Sequence, residues 1–412
     1  MDVLVVGGGI IGVSVALEIQ KSGRQVLLIE RGKIADGCSY GNAGWITPCF
    51  AMPLPQPGML FKSIGWLLDN ESPLHIQPHL SGTLVRWLWH FMLSMNHKKM
   101  KESVAVLAEL SKYSLDFYRD FAALAKPAMS FEKRGLLMVS ATPEGMNHAK
   151  LEMDLMRERG IPGEFLSQEA VLAKEPALKN IVKGGVFFPE EAQVEPYPTT
   201  VAIAEEFEKR GGRKLLNCEV YDFEVQVGRI QKVFSTQGVF EAELVVMATG
   251  SWSKGIAKRL GVNLPILGGK GYSMIVDEGP KKPKHPIMIV EKKIAVTPRA
   301  DSIRLAGTLE LVDQDTSISP ARLNAIHKGA GEYLHLAEDS QPRNIWRGLR
   351  PCTPDGVPII DFSKKIQNLF YCTGHQLLGL QSAPGSAKLA GDLIFKRDPV
   401  VNPQPFKAAR FE

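Results

Sequence analysis

Gly7, Gly9 and Gly12 stand in the spacing Gly-x-Gly-x-x-Gly, and an acid, Glu30, follows them. Residue types in this order can hold a dinucleotide. Gly7 permits a tight turn, Gly9 lets a pyrophosphate approach bare backbone, and Gly12 lets a helix pack close to a sheet. A helix starting at Ile10 and Ile11 would aim unpaired N–H groups and the positive end of its dipole at the phosphates. Glu30 can accept hydrogen bonds from both hydroxyls of a ribose. The acid argues against a 2′-phosphate and so favours FAD or NAD over NADP, without separating those two.

The positioning elements are legible on either side. Val3-Leu4-Val5-Val6 is an unbroken aliphatic run, as in a strand buried on both faces. Ile10, Val13, Ala16, Leu17 and Ile19 follow with helical period, and Gly23 marks the end of that helix. Val26-Leu27-Leu28-Ile29 then forms a second strand that delivers Glu30 and Arg31.

Composition narrows the class. A chain of 412 residues is long enough for two domains. The formal charge of +5 suits a site for small anions or a weak attraction to anionic membrane, and is too small to argue for nucleic acid. Five scattered cysteines (Cys38, Cys49, Cys218, Cys352, Cys372) contain no Cys-x-x-Cys pair, so no metal site is expected and reduced thiols in a cytoplasmic protein are. The chain opens on its first strand, so no signal peptide is expected, and no apolar run approaches the roughly 20 residues of a membrane span. Leu84 to Met95, rich in Trp and Phe, reads as a helix with two uses left open, packing inside the protein or shallow docking on a membrane.

Along the chain, small residues cluster at Ser39 and Asn42-Ala43-Gly44-Trp45, where backbone can come close to a ligand. Helical patterns dominate from Met59 to Lys126, most clearly from Val104 to Leu124. Further helices are expected over Pro143–Arg159, from Ser167 as N-cap, and over Pro196–Arg210. A strand from Lys214 to Val220 and hairpin strands over Tyr221–Phe240 lead to Leu244–Gly250, an apolar strand ending in Ala248-Thr249-Gly250. Residues 262–318 read as an antiparallel sheet. Trp346 to Pro358 reads as a loop, Asn368 to Thr373 as a strand meeting Gly374-His375, and Ser386 to Phe395 as the last helix.

The fingerprint, Ala248-Thr249-Gly250, Gly348-Leu349-Arg350-Pro351 with Thr353-Pro354-Asp355-Gly356, and Gly374-His375 occur in an order that resembles the D-amino-acid oxidase superfamily of FAD-dependent amine oxidoreductases. Asn42-Ala43-Gly44 and Lys270-Gly271-Tyr272-Ser273 resemble its bacterial D-amino-acid dehydrogenase small-subunit branch, which includes hydroxyproline dehydrogenase-like members. The likeness implies an α/β fold with a discontinuous Rossmann-type FAD-binding domain (1–50, 194–260, 346–412). It also implies an α+β substrate domain with a large antiparallel sheet (51–193, 261–345).

It further implies oxidation of a D-amino acid, or a cyclic secondary amino acid such as proline or hydroxyproline, by hydride transfer to flavin N5. Electrons would pass to a quinone or another carrier, with an oxygen-using oxidase as the alternative and a flavoenzyme for a modified tRNA base as a more distant one. Arg350 is expected to hold the substrate carboxylate through two parallel hydrogen bonds, against a rival reading as a loop arginine paired with Asp355. Arg347 is expected in a salt bridge. Tyr272 supplies a phenol to the carboxylate, shapes the pocket or packs in the core, and His375 touches the flavin or holds its loop.

The expected FAD wall is Gly7, Gly9, Ile10, Ile11, Gly12, Glu30, Arg31, Ser39, Asn42, Ala43, Gly44, Trp45, Val220, Ala248, Thr249, Gly250 and Trp252. It closes with Gly374, His375, Leu378, Gly379 and Leu380, where a helix N-terminus would face the flavin's pyrimidine edge. Covalent relatives carry a cysteine where this chain has Gly348, so the FAD is expected to be non-covalent. Glycine oxidase-like relatives carry a second arginine where this chain reads Gln376-Leu377-Leu378, which weakens that assignment. The remaining partners expected are a peripheral membrane contact and a homo- or hetero-oligomer, both left open.

Overall fold

The computed structural model describes residues 1–57, 74–76, 82–124 and 129–411. The aliphatic runs of the sequence become a six-stranded sheet. Its centre is Val3–Val6, flanked in parallel by Val26–Ile29 on one side and Leu244–Met247 on the other. Arg213–Leu215 extends the sheet beyond Val26–Ile29, and Leu369–Thr373 extends it beyond Leu244–Met247. Ile359–Phe362 closes that edge antiparallel. All four residues of Val3–Val6 and of Val26–Ile29 are buried, which is why neither strand alternates apolar with polar residues.

The helices Ile10–Gln20, Pro196–Lys209 and Gly379–Ile394 share one apolar core with this sheet. A three-stranded meander, Val220–Gln226, Arg229–Ser235 and Gly238–Phe240, stands apart from it. The expected strand Lys214–Val220 is thus split between two sheets.

The second large sheet has nine strands and is mainly antiparallel. From one edge, the order runs Arg343–Cys352, Leu267–Val276, Ile303–Val312, Ile294–Pro298, Ile287–Ile289, Leu136–Ser140, Gly184–Phe188, Glu164–Ser167. Leu74–Ile76 pairs with Ile303–Val312 outside this path. The helix Pro143–Arg157 starts on Thr142, whose side chain accepts from Gly145 N, with proline at its first position. Ser167 caps Gln168–Lys174 in the same way.

Two expectations are corrected. Trp346 to Cys352 is not a loop but part of the edge strand Arg343–Cys352, so the antiparallel sheet runs past the expected boundary at 346. The last helix begins at Gly379 rather than Ser386 and carries Pro384 inside it. Proline has no N–H to give to the carbonyl of Leu380, one turn back. The buried Tyr118 supplies the donor instead, its hydroxyl reaching Leu380 O at 2.7 Å. Tyr118 belongs to the long helix His97–Leu124, which also places Ser114 Oγ 2.9 Å from Gly385 N. The expected helical beginning near Met59 lies outside the described residues.

Tyr118→Phe keeps the ring and removes the donor. It is expected to cost about 1–3 kcal/mol of stability, because a buried carbonyl is left unpaired. Denaturant unfolding of the two proteins checks this; equal midpoints would show that Leu380 O needs no partner.

Candidate active site

Val6, Ile29 and Ala248 end three neighbouring parallel strands and open into a cavity of ≈ 1000 Å³. Ligands of open α/β sheets sit in this crevice, outside the carboxyl ends of the strands. Gly7 leaves its strand with φ +114°, and a Cβ there would lie 2.5 Å from Ala248 O. Gly9, Ile10 and Ile11 line the cavity at the start of the helix. Gly9 offers no side-chain cap, but Ser39 Oγ accepts from Ile10 N at 2.9 Å. Gly12 lies outside the lining, and a Cβ there would overlap the Gly7 carbonyl.

Glu30 is held rigidly at its strand end. Its carboxylate accepts from Gly8 N at 2.6 Å and Gly32 N at 2.9 Å. Beside it, the Arg31 guanidinium lies 3.9 Å from the centre of the Trp252 ring, and both line the cavity with Val220, Thr249 and Gly250. Asn42, Ala43 and Trp45 form another wall. Trp45 Nε1 donates to Thr297 Oγ1 at 2.8 Å, and that hydroxyl donates to Ala43 O at 2.8 Å. Gly44 is outside the lining; its N donates to Asn42 Oδ1 at 2.8 Å.

At the far end, Gly374 (φ +83°), His375, Leu378, Gly379 and Leu380 line the cavity, the last two opening the terminal helix. His375 is buried, and its Nε2 lies 3.0 Å from Ser386 Oγ. Burial lowers its pKa to about 3, so the imidazole is neutral at working pH.

Arg350 lines the same cavity from the edge of the nine-stranded sheet. Its guanidinium lies where a Cβ of Gly271 would be. Its Nη1 donates to Thr308 O at 2.7 Å. Thr308 adopts φ +66°, unusual for a β-branched residue. The reason is a slip of register: Lys270 pairs with Glu310 but Tyr272 with Gly307, so Gly271 faces two residues, as in a β-bulge. The bulge presents the Thr308 carbonyl to the arginine. Burial lowers the pKa of Arg350, opposed by Cys38 and Cys352.

Among the described residues no carboxylate pairs with Arg350. The expected rival, Asp355, is held by Arg410 at 2.6 Å. Arg347 was expected in a salt bridge; its Nε donates to the Thr316 carbonyl at 2.8 Å instead.

Tyr272 requires a correction. It does not reach the cavity: it is fully buried, and its hydroxyl donates to Glu310 Oε1 at 2.6 Å. Alternation along Leu267–Val276 explains this. Gly271 faces Arg350, so its neighbour points through the sheet to the other side. The core reading of Tyr272 holds. Sequence reasoning missed Phe50, Trp346 and Gln381 as wall residues, and also Glu152 and Thr308. Gly41 and Gly348 carried a signal for one of them: a Cβ at either would overlap the Trp346 ring.

A glycine cradle at strand ends, an anchored acid and a half-buried guanidinium in one cavity define a dinucleotide-dependent site with a place for a small anion. The profile of the FAD dependent oxidoreductase family (DAO) matches residues 2–393, and the chain belongs to that family. It is 30% identical over 407 residues to a D-amino acid dehydrogenase of Cereibacter sphaeroides, with 97% of this chain and 93% of that one covered. A D-amino acid dehydrogenase of Vibrio atlanticus is 30% identical over 400 residues, covering 96% of each chain. In fold the chain is similar to glycine oxidase from Geobacillus kaustophilus, with TM-score 0.79, 21% identity, and 99% and 98% of the two chains covered. It is also similar to L-proline dehydrogenase from P. horikoshii, with TM-score 0.80, 18% identity, and 100% and 97% covered.

The cavity suits the family's cofactor. Among the described residues, chain neighbours aside, a Cβ built on Gly9 would meet within 4 Å just Ser39 Oγ, at 3.4 Å, so the bare backbone faces open space. Ser251 Oγ is buried on the cavity wall with no hydrogen-bond partner among the described residues. Gly7, Gly9, Ile10, Ile11 and Glu30 would hold the adenosine and pyrophosphate, and Gly374 to Leu380 the flavin ring.

Proposed function

We propose that this protein is an FAD-dependent D-amino-acid dehydrogenase. The observation that carries the reading is Arg350, a half-buried cation that no carboxylate among the described residues neutralises, in the same cavity as the glycine cradle. A planar guanidinium suits an α-carboxylate, since two parallel bonds fix orientation as well as adding affinity.

Bound FAD supplies the hydride acceptor, and the protein's own work is alignment and electrostatics. Arg350 holds the carboxylate, leaving the α-carbon hydrogen to be aimed. Neutral His375, fixed by Ser386, keeps the loop before the terminal helix in place. The helix N-terminus at Gly379 and Leu380 favours negative charge near it. Oxidation leaves an imino acid, which water hydrolyses when the substrate was a primary amine. We read the FAD as non-covalent and the electron acceptor as a quinone or other carrier. The six-stranded sheet with its helices serves as the cofactor domain and the nine-stranded sheet as the substrate domain.

The test is anaerobic mixing of the purified yellow protein with D- and L-amino acids, glycine, sarcosine and hydroxyproline isomers. Rapid bleaching by D-amino acids is expected, and bleaching by glycine and sarcosine alone would replace this reading. Trichloroacetic acid should leave the colour in the supernatant. Peroxide formed under air at the rate of dye-linked turnover would make the protein an oxidase.

We further propose that the enzyme docks on a membrane surface. No described helix is long and apolar enough to cross a membrane. The helix Gly82–Ser94 turns Leu84, Trp87 and Phe91 inward but exposes Val85, Trp89, Met92 and Leu93. Lys98, Lys99 and Lys101 follow, a basic flank that suits anionic headgroups. Trp89→Ser with Leu93→Ser is expected to lower co-sedimentation with phosphatidylglycerol vesicles about tenfold or more, at unchanged activity with a soluble dye. Equal sedimentation of both proteins would remove the membrane contact.

A further inference from the structure

Glu152 has no part in the reading above. It belongs to the helix Pro143–Arg157, whose buried face is Gly145, Ala149, Glu152, Met153 and Met156. Helical period calls for an apolar residue at this position. The chain instead puts an acid there, only 7% exposed, on the wall of the cavity that Arg350 lines. Burying a carboxylate among apolar side chains is costly unless it is paired. Its partner is His148 Nε2 at 3.4 Å, longer than the ~2.7–2.9 Å of a charge-assisted hydrogen bond. Among the described residues no lysine or arginine pairs with it.

The wall between the two charged groups is also informative. Arg350 reaches the strand Ile303–Val312 at Thr308. The sheet order continues from there through Ile294–Pro298 to Ile287–Ile289. On these strands Ala306, Gly307, Ala295 and Met288 line the cavity. Two strand spacings separate Thr308's strand from that of Met288, roughly 10 Å. Small residues on two of the three strands leave a trough leading away from the guanidinium. A cation lines the cavity on one strand and an anion on the helix packed over the sheet; the strand residues between them are uncharged, and Lys293, in the turn before Ile294–Pro298, also lines the cavity.

We propose that Glu152 selects the substrate side chain: the cavity takes long basic D-amino acids, with the α-carboxylate on Arg350 and the terminal ammonium or guanidinium on Glu152. This rests on the reading of the site as one for D-amino-acid oxidation and names the substrate class of that site. A neutral side chain of the same length fills the trough but leaves the acid's negative charge uncompensated.

D-lysine and D-norleucine, alike in length and different in terminal charge, decide the matter. With the FAD-loaded enzyme, kcat/KM for D-lysine is expected to exceed that for D-norleucine by about tenfold or more, chiefly through KM. Glu152→Gln, of the same shape, should shrink that ratio about tenfold, while kcat/KM for D-norleucine moves less than about threefold. Glu152→Asp, which keeps the charge, should restore part of the preference. Flavin content and melting temperature show that each variant is folded, and the wild-type ratio needs no variant. Preference for D-norleucine, or an unchanged ratio in Glu152→Gln, overturns the role of Glu152 and leaves the dehydrogenase reading standing. Failure of every amino acid, neutral or basic, to bleach the flavin overturns both.

Discussion

Replacing Arg350 with alanine is expected to lower kcat/KM for amino acids on the order of 10²–10³-fold, with the flavin still bound. The magnitude follows from removing the hydrogen-bonded partner of an ionic substrate group that the bound complex would enclose, which costs about 2–5 kcal/mol. The substitution adds no atoms near Gly271, and the partner it leaves is the Thr308 carbonyl rather than a buried charge. The fold is therefore expected to survive. Arg350→Lys should recover little, because an ammonium on a flexible stem is a point charge and cannot form the two-pronged contact. Stopped-flow reduction at saturating and sub-saturating substrate separates a lost anchor, which raises the concentration needed, from a misaimed hydride, which slows the limiting rate. Reduction within a few-fold of wild type across the range would remove the guanidinium from substrate binding.

Gly7→Ala should abolish flavin uptake. Two costs act together. At φ +114° a Cβ is strained, and this one would lie 2.5 Å from the Ala248 carbonyl oxygen in the next strand. Relief requires the turn or the strand end to move, and both border the place where the pyrophosphate would lie. Gly23 provides the comparison. It too has positive φ, +79°, but a Cβ there meets no atom of the described residues within 4 Å, chain neighbours aside. Gly23→Ala should cost about 1–2 kcal/mol of stability and leave the flavin-to-protein ratio at that of wild type. A Gly7→Ala protein that purifies yellow with a full complement of flavin would contradict the assignment of this turn.

How far the sequence could be read depended on whether the deciding interactions were local. Val3–Val6, the turn at Gly7, the helix from Ile10 and the strand before Glu30 are settled by neighbours in the chain, and all were legible. So were the helix starts at Thr142 and Ser167, where a side chain caps its own helix, though only the second was singled out. The beginning of the terminal helix was not. Pro384 and Gly385 read as breakers, and what overrules them is Tyr118, far away in sequence. The strand Arg343–Cys352 was hidden for a similar reason. Its glycine and proline suggest a loop, but its residues pair with Leu267–Val276.

Within the site, Arg350 was marked by its motif, whereas Thr308 carried no mark at all. A threonine in the left-handed region follows from a register slip that only the paired sheet defines. Tyr272 was misplaced by one side of a strand, because the motif singled out a stretch without saying which residue faced the ligand. Glu152 was visible only as one acid in an amphipathic helix until the helix had a neighbour.

The strand Arg343–Cys352 runs without a break into the Thr353–Gly356 turn and on to Ile359–Phe362 at the margin of the parallel sheet. Arg350, the proposed carboxylate anchor, is thus tethered covalently, over a few residues, to the layer that carries the nucleotide fingerprint. The same strand is hydrogen-bonded into the nine-stranded sheet over which the Glu152 helix packs, so the two proposed grips on the substrate share one rigid layer.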